Sequence, residues 1–233
     1  MTGIVVSTER EAGLLLRQLA GGERIFLQQK SFYRGNLKGS VPTVICICGV
    51  GKANAAHGTA LLLERFGPDL VWSIGVAGAY PSSGLEVGAV AVAEKDIYGD
   101  EGLVTGRGGS GFHSMDVLHL PLCTVDSTHY YNAFPLFVPE CLQGCGNRGI
   151  FVTVSACSGT RERGIELEGR FGALCESMEG AAVAHVCTLN SIPVAEVRAV
   201  SNIIEDRSAE PLDRESLITA AGRVQEYFLD VCI

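Results

Sequence analysis

The sequence lacks the apolar run of about 20 residues that a membrane-spanning helix needs. It also lacks an excess of positive charge, because 18 Lys and Arg stand against 26 Asp and Glu and the net charge is -8. Without a basic field, binding to nucleic acid or to an anionic membrane surface is not expected. The N-terminal segment MTGIVVSTER has no basic stretch and only a very short apolar run. We therefore predict no signal peptide and a cytoplasmic location.

Several motifs that would indicate other chemistries are also missing. The sequence has no CxxC pair, no HExxH and no GxSxG, so we predict neither a metal site nor a serine-hydrolase elbow. The segment GVGK (Gly49–Lys52) ends like a phosphate-binding loop, but the full motif needs Gly and Ser or Thr where Cys46 and Ala53 stand. The nine Cys, an odd number, are predicted to be reduced thiols, several of them in the core.

What the sequence does contain is a regular alternation of apolar strands and amphipathic helices. A buried strand at Gly3–Ser7 precedes a helix at Thr8–Ala20, with Thr8 as its N-cap, and the alternation continues to a C-terminal helix. Strands that are apolar throughout indicate a largely parallel sheet that is covered on both faces. The prediction is one domain over residues 1–233, an α/β three-layer αβα sandwich with a central mixed, largely parallel sheet. A helix within Asn132–Cys145 and an irregular loop over residues 100–130 are also expected.

Polar residues stand at the ends of several predicted strands. Because ligands bind at the carboxyl ends of parallel strands, we expect these residues to converge on one crevice. They are Glu11, the GVAG turn at Gly75–Gly78, Met178 with Glu179, Arg198, and Ser201 with Asn202.

Each charged member of this set has a second interpretation when it is taken alone. Glu11 fits the acidic position of a capping box that starts at Thr8. Glu179 fits a charge favoured by the dipole at a helix N-terminus. Arg198 could form an ion pair with Glu196. Only their joint occurrence favours a functional site.

The joint pattern resembles the nucleoside phosphorylase and nucleosidase superfamily. Three segments carry the resemblance: GIVVSTEREAGLL near the N-terminus, GVGKANAAHGTALLLERFGPDLVWSIGVAGA in the first half, and SMEGAAVAHVCTLNSIPVAEVRAVSN in the second. They span nearly the whole chain in order, and residues 100–130 match least. The resemblance implies the nucleoside phosphorylase-like fold, a small-molecule nucleoside substrate, no cofactor and a homo-oligomer.

The resemblance also implies roles for individual residues. Glu179 would grip the ribose hydroxyls and offset positive charge on the sugar, and Glu11 would activate the attacking water. Arg198 would lie near the pocket for water or phosphate, and Asn202 would hydrogen-bond to N7 of the purine. Substrate contacts are further implied for Val76, Ala77, Gly78, Met178 and Ser201.

Two residues differ from the superfamily pattern, and they distinguish between its branches. Val76 stands where a residue with a hydroxyl group is common. A phosphate site needs many hydrogen-bond donors, so the loss of this hydroxyl favours hydrolysis over phosphorolysis. Asn202 stands where the adenine-specific branch has Asp, and an amide offers one donor and one acceptor, which favours a 6-oxopurine. Together with YGDEG (Tyr98–Gly102) and SNIIEDR, these features resemble the futalosine hydrolase branch, whose substrate carries an aromatic acid on the 5′ side.

Three other functions stay open from the sequence. They are a methylthioadenosine-type nucleosidase, a 6-oxopurine nucleoside phosphorylase and a nucleoside-binding protein without catalysis. The sequence offers Arg107 or His113 as a cation for the 5′ acid, and Phe112 as an aromatic ring that stacks on the purine. We expect a solvated loop to be the commoner role for such residues.

Overall fold

The computed structural model describes residues 1–106, 111–207 and 213–233. Its helices are α1 (Glu9–Arg17), α2 (Lys52–Phe66), α3 (Arg161–Phe171), α4 (Gly180–Leu189) and α5 (Arg214–Val231). Its strands are β1 (Thr2–Val6), β2 (Leu19–Leu27), β3 (Lys30–Leu37), β4 (Val41–Ile47), β5 (Leu70–Ala79), β6 (Val90–Tyr98), β7 (Gly102–Thr105), β8 (Gly111–Ser114), β9 (Cys123–Val125), β10 (Thr128–Tyr130), β11 (Ala133–Pro135), β12 (Arg148–Thr153), β13 (Cys175–Ser177) and β14 (Val194–Ile203).

Local sequence signals explain where the first helices begin and end. Thr8 is the N-cap of α1, and its hydroxyl oxygen accepts from the backbone N–H of Glu11, as predicted. Helix α2 ends at Gly67, which has a left-handed conformation (φ 56°) and donates its N–H to the carbonyl of Leu63. A side chain would be strained there, so glycine ends the helix.

A ten-stranded mixed sheet forms the centre of the molecule. Strand β1 pairs in parallel with β4 and β5, and β5 pairs in parallel with β14, while β2, β3 and β4 are antiparallel. Strands β5, β14, β6, β12 and β13 pair in a closed ring, because β13 pairs with β5 and β14 pairs with β6. The predicted fold class, α/β with a central mixed sheet, is confirmed.

Apolar side chains on the two faces of the sheet form separate parts of the core. Ile4 and Val6 of β1 pack in the cluster that contains residues of α1 and α5, whereas Val5 packs with residues of α2 and α4. Successive residues of a strand point to opposite faces, so one strand serves both layers of helices. Strands from both ends of the chain, β1 and β14, lie in this one sheet, and we retain a single domain over 1–233 as a proposal.

Two sequence predictions differ from the structure. The expected helix within Asn132–Cys145 is wrong: this segment holds β11 and a single 3-10 turn at Glu140–Leu142. Apolar spacing there reflects packing of Phe134 and Leu142 into the core, and not a helical face. Residues 100–130 were expected to be irregular, but their described part forms two hairpins, β7–β8 and β9–β10.

Among the helices that the structure describes, none has the length and apolarity to cross a membrane. All nine Cys have free thiols, and Cys46, Cys48, Cys175 and Cys187 are buried.

Candidate active site

A cavity of about 340 Å³ opens where the carboxyl ends of β1, β5 and β14 meet the first turns of α1 and α4. Eight of the nine residues to which the resemblance assigns a role line it: Glu11, Val76, Ala77, Gly78, Met178, Glu179, Ser201 and Asn202. The ninth, Arg198, is only 1% exposed and lies behind this surface. The prediction that these strand ends converge therefore matches the geometry.

Glu11 projects from the first turn of α1 into the cavity. Its Oε2 accepts the Thr8 hydroxyl at 2.8 Å. Burial raises the pKa of Glu11 above its usual value, while the Thr8 hydrogen bond and the Arg198 charge act in the opposite direction. Only half of the predicted capping box is present. The Thr8 hydroxyl accepts the Glu11 N–H, but the Glu11 carboxylate binds that hydroxyl and points toward the cavity.

Glu179 occupies the N-cap position of α4 but does not cap the helix with its side chain. Its Oε1 accepts the backbone N–H of Gly51 at 2.8 Å, and its Oε2 lies 3.8 Å from Nη1 of Arg198. The side chain is buried and lines the cavity. The interpretation of Glu179 as a simple helix-end charge is thus insufficient, since its carboxylate is held by groups of other elements.

Arg198 is held from three sides. Its Nε donates to Glu196 at 2.8 Å, its Nη2 donates to the Ser73 hydroxyl at 2.9 Å, and its Nη1 faces Glu179. Burial opposes the charged form, but the carboxylates of Glu196, Glu179 and Glu11 outweigh it and raise the pKa of Arg198. Arg198 therefore forms the predicted ion pair with Glu196 and also lies next to the cavity. Its positive charge is balanced by carboxylates of the protein itself.

Gly75 makes this arrangement possible. A Cβ on Gly75 would stand 2.4 Å from Nη1 of Arg198 and 3.1 Å from Oε1 of Glu11. No side chain fits at that spacing, so the close approach of the Arg198 side chain requires glycine here. The predicted turn at Gly75–Gly78 is wrong, because these residues lie within β5 and pair with β14.

A bulge in β14 sets the direction of Asn202. Val200 pairs with Ala77 and Asn202 pairs with Gly78, so Ser201 is one extra residue in the strand. The Ser201 hydroxyl lies 3.0 Å from Oδ1 of Asn202 and 3.2 Å from the carbonyl of Ala77. The Asn202 amide thus lines the cavity with Nδ2 bound only weakly, at 3.4 Å from the carbonyl of Ile203.

The structure adds lining residues that the sequence analysis missed. Glu176 is a second buried acid, and it accepts the backbone N–H of Ser158 at 2.6 Å and the Ser158 hydroxyl at 2.8 Å. Burial raises its pKa, while the Ser158 bonds lower it. Its position three residues before Glu179 in CESMEG was a signal that could have identified it. The other additions are Ser7, Thr8, Arg10, Val50, Cys157, Ser177, Arg207, Leu217 and Ala221.

The loop residues suggested for the substrate are not in the cavity lining as described. Nε2 of His113 lies 3.1 Å from the Thr105 hydroxyl within the β7–β8 hairpin. Phe112 lies under the guanidinium of Arg170, at 4.3 Å from its ring centroid, and not at the purine position. Arg107 falls outside the described residues. The lining that the structure describes contains no aromatic ring, so it offers no stacking partner for the base.

Comparison with known proteins places this geometry in a family. The model of the phosphorylase superfamily matches residues 2–232. A 5′-methylthioadenosine/S-adenosylhomocysteine nucleosidase of Geobacillus kaustophilus is 30% identical over 236 residues, covering 98% of this chain and 94% of the relative. A futalosine hydrolase of Thermus thermophilus is 34% identical over 158 residues, 66% of this chain and 66% of the relative.

Solved structures agree with the family at the level of the fold. The crystal structure of a 5′-methylthioadenosine/S-adenosylhomocysteine nucleosidase from Neisseria meningitidis, in complex with methylthio-immucillin-A, superimposes with a TM-score of 0.79 at 23% identity. The match covers 99% of this chain and 97% of that one. With a family model that spans almost every residue and a relative that is similar along its length, the chain belongs to the phosphorylase superfamily.

Proposed function

We propose that the chain hydrolyses the N-glycosidic bond of a 6-oxopurine nucleoside, with futalosine as the substrate and hypoxanthine as the leaving base. The relatives that match are nucleosidases, which confirms the coarser prediction of an N-glycosyl hydrolase. The observation that carries the finer proposal is the amide of Asn202 in the cavity wall.

The charges in the part of the cavity next to Arg198 favour water over phosphate as the attacking group. Glu11, Glu176 and Glu179 line the cavity, and the guanidinium of Arg198 behind them is already paired with Glu196 and Glu179. A phosphate dianion needs donors and positive charge, and it would meet carboxylates here. The side chain of Val76, which also lines the cavity, has no hydroxyl to offer a phosphate. Water needs fewer donors and one base.

The steps of the reaction at the sugar can be assigned to two side chains. Glu11 takes a proton from water as the water oxygen bonds to the anomeric carbon. Glu179 binds the ribose hydroxyls and offsets positive charge on the sugar while the bond to N9 breaks. The purine takes up one proton from solvent at N7 and leaves as its N7–H form, and Glu11 then returns the proton that it took from water to the solvent, so the protons balance.

The residue at position 202 selects the leaving base, because an amide and an acid offer different hydrogen-bonding groups. Hypoxanthine in its N7–H form offers a donor at N7 and an acceptor at O6, which complement the Oδ1 and Nδ2 of Asn202. Adenine in the same form offers two donors and would leave the amide N–H unpaired. A buried unpaired polar group costs about 1–3 kcal/mol, so the amide favours the 6-oxopurine.

The second candidate is a methylthioadenosine/S-adenosylhomocysteine nucleosidase. It is favoured by the relative of that name, which matches over 98% of this chain, whereas the futalosine hydrolase match covers 66%. Both candidates use the same two carboxylates, so they differ at the base and at the 5′ substituent. The proposed homo-oligomer is a further prediction, and analytical ultracentrifugation of the purified chain measures it.

Incubation with futalosine, inosine and methylthioadenosine, each with and without phosphate, separates the candidates. We expect release of hypoxanthine from futalosine at the same rate in both conditions, and kcat/KM for methylthioadenosine lower by about 100-fold. Dependence on phosphate would assign a phosphorylase, and preference for methylthioadenosine would assign the second candidate. Intact nucleosides after long incubation would indicate a binding protein without catalysis.

Arg10 is the cation that we propose for the acid on the 5′ arm of futalosine. It lines the cavity together with Leu217 and Ala221, which lie on α5. Helices α1 and α5 are joined there, because the Gln225 side chain accepts the backbone N–H of Leu14 at 2.7 Å. Within residues 1–106, 111–207 and 213–233, no hydrogen-bond or ion-pair partner is recorded for the Arg10 guanidinium. This end of the cavity thus pairs an apolar wall with one cation.

We expect Arg10→Gln to raise KM for futalosine by about tenfold, the loss of one charge-assisted hydrogen bond at an exposed site. Turnover of inosine, which has no 5′ acid, should stay unchanged. Arg17→Gln, an exposed position at the other end of α1, is the matched control. Steady-state kinetics on both substrates measures the effect, and an equal loss for inosine would show that Arg10 does not bind the 5′ acid.

A further inference from the structure

Two acids that the proposed mechanism does not use lie behind Arg198. Asp96 of β6 and Glu196 of β14 are both completely buried, with 0% of each residue exposed. Among the described residues, Oδ2 of Asp96 and Oε2 of Glu196 have no hydrogen-bond partner. Buried polar atoms are nearly always paired, so two orphaned carboxylate oxygens in one place need an explanation.

The two orphaned oxygens both lie beside Gly180. A Cβ on Gly180 would stand 2.0 Å from Oδ2 of Asp96 and 2.5 Å from Oε2 of Glu196. Gly180 is the first residue of α4, and only a residue without a side chain fits at this position. Each remaining oxygen has a donor: the Thr153 hydroxyl lies 3.0 Å from Oδ1 of Asp96, and Nε of Arg198 lies 2.8 Å from Oε1 of Glu196.

A single proton satisfies both orphaned atoms. Two carboxylates that meet in a buried site beside one residue cannot both stay ionised at ordinary cost, whereas an acid and a carboxylate form a strong O–H···O⁻ bond. The proton belongs on Asp96, because Glu196 already pairs with the positive charge of Arg198. The Thr153 hydroxyl leaves Oδ2 of Asp96 free to carry it, and that hydroxyl oxygen accepts the N–H of Ala181 at 2.8 Å.

We propose that Asp96 is a protonated positioning residue at neutral pH, and that its O–H donates to Glu196 so that this carboxylate presents one fixed negative charge to Arg198. The Arg198 guanidinium is then held by Glu196 and Ser73, and its Nη1 faces Glu179 in the cavity wall. The link to catalysis rests on the proposed function, but the protonation state does not.

The surroundings of Asp96 agree with a neutral acid. Burial, the charge of Glu196 and the hydrogen bond to Glu196 raise the pKa of Asp96 well above its usual value, against the Thr153 bond and the Arg198 charge. The other titratable groups that face it are Cys175 of β13, Tyr80 after β5, and Tyr98 of β6. Burial raises the pKa of each of these three groups, so they are neutral too. Helix α4 presents Gly180 and the Ala181 N–H to this position.

Infrared spectroscopy of the wild-type protein tests the proton directly. At pH 8 we expect a carbonyl stretching band of a buried carboxylic acid that shifts when the protein is labelled with 13C-carboxyl aspartate. Labelling with 13C-carboxyl glutamate should leave that band in place, which separates Asp96 from Glu11 and Glu176. Absence of an aspartate-sensitive acid band at pH 8 would overturn the proposal, whatever the enzyme hydrolyses.

Asp96→Asn gives a second measurement, because the amide supplies an N–H to Glu196 in place of the acid O–H. The folded wild type keeps a proton that the unfolded chain loses above the usual Asp pKa of 3.8. Between that pH and the higher folded pKa, stability therefore falls as pH rises. The unfolding constant of the wild type, divided by that of Asp96→Asn, should rise about tenfold per pH unit in this window. A ratio that stays constant with pH would contradict the proposal.

The positioning role of Asp96 is tested separately, by kcat and KM of two variants. Asp96→Asn should keep kcat within about threefold of the wild type, because the donor to Glu196 is retained. Asp96→Ala should lower kcat by about tenfold or more with KM nearly unchanged, since Glu196 loses its donor. Equal activity of the Asn and Ala variants would show that Asp96 does not position Arg198, while the hydrolase assignment would stand. Failure to hydrolyse any nucleoside, with the aspartate band present, would instead remove only the proposed function.

Discussion

Replacing Glu11 by Gln should lower kcat by about 10² to 10⁴, the range that a general base contributes. The amide keeps the size of the side chain and its bond to the Thr8 hydroxyl, but it cannot take a proton from water. KM should change little, because substrate contacts elsewhere in the cavity remain. Single-turnover measurements of hypoxanthine release give the chemical step without product dissociation.

The pH profile provides an independent check on Glu11. Burial raises the pKa of this carboxyl above 4.5, so the wild-type enzyme should lose activity on the acid side at a pH higher than that of an ordinary glutamate. The base must be ionised, so activity rises with pH through this pKa. Glu11→Gln should lack this acid limb in its residual rate.

Glu9→Gln is the matched control for Glu11→Gln. Glu9 lies in the same first turn of α1, is exposed and contacts the Tyr33 hydroxyl at 3.1 Å outside the cavity. It should leave kcat unchanged. Near-normal turnover of Glu11→Gln, or retention of the same acid limb, would show that another group activates the water.

Replacing Asn202 by Asp should abolish the preference for a 6-oxopurine base. The carboxylate can accept both donors of N7-protonated adenine, but it repels the O6 acceptor of hypoxanthine. We expect the ratio of kcat/KM for futalosine over methylthioadenosine to fall by about two orders of magnitude, the cost of mismatched buried polar groups. Chromatographic assay of the two released bases measures this ratio.

Two further variants test whether the effect of Asn202→Asp comes from its contact with the base. Asn202→Ala removes both hydrogen-bonding groups, so it should lower the futalosine rate without raising the methylthioadenosine rate. Asn36→Asp is the same substitution on an exposed residue of β3 and should change neither rate. Unchanged hypoxanthine release by Asn202→Asp would refute base recognition by this amide.

Much of the fold could be predicted from local patterns. The α1 cap at Thr8, the apolar strands and the alternation with helices depend on neighbours in the chain, and they identified the sheet and its helical layers. The segment that contains Phe134 and Leu142 was misjudged because a short apolar stretch fits a helix or a strand equally well, and only its packing decides.

The sequence by itself also identified polar residues at or just after the predicted strands, and eight of the nine to which the resemblance assigns a role line one cavity. Only the tertiary structure decided that Arg198 is buried behind that cavity, that Asp96 meets Glu196 beside Gly180, and that Arg10 stands at the α5 end. The physical reason is that residue patterns report spacing along the chain. Burial, hydrogen-bond partners and the sharing of a proton arise between residues as far apart as positions 96 and 196, and they exist only after the strands have paired.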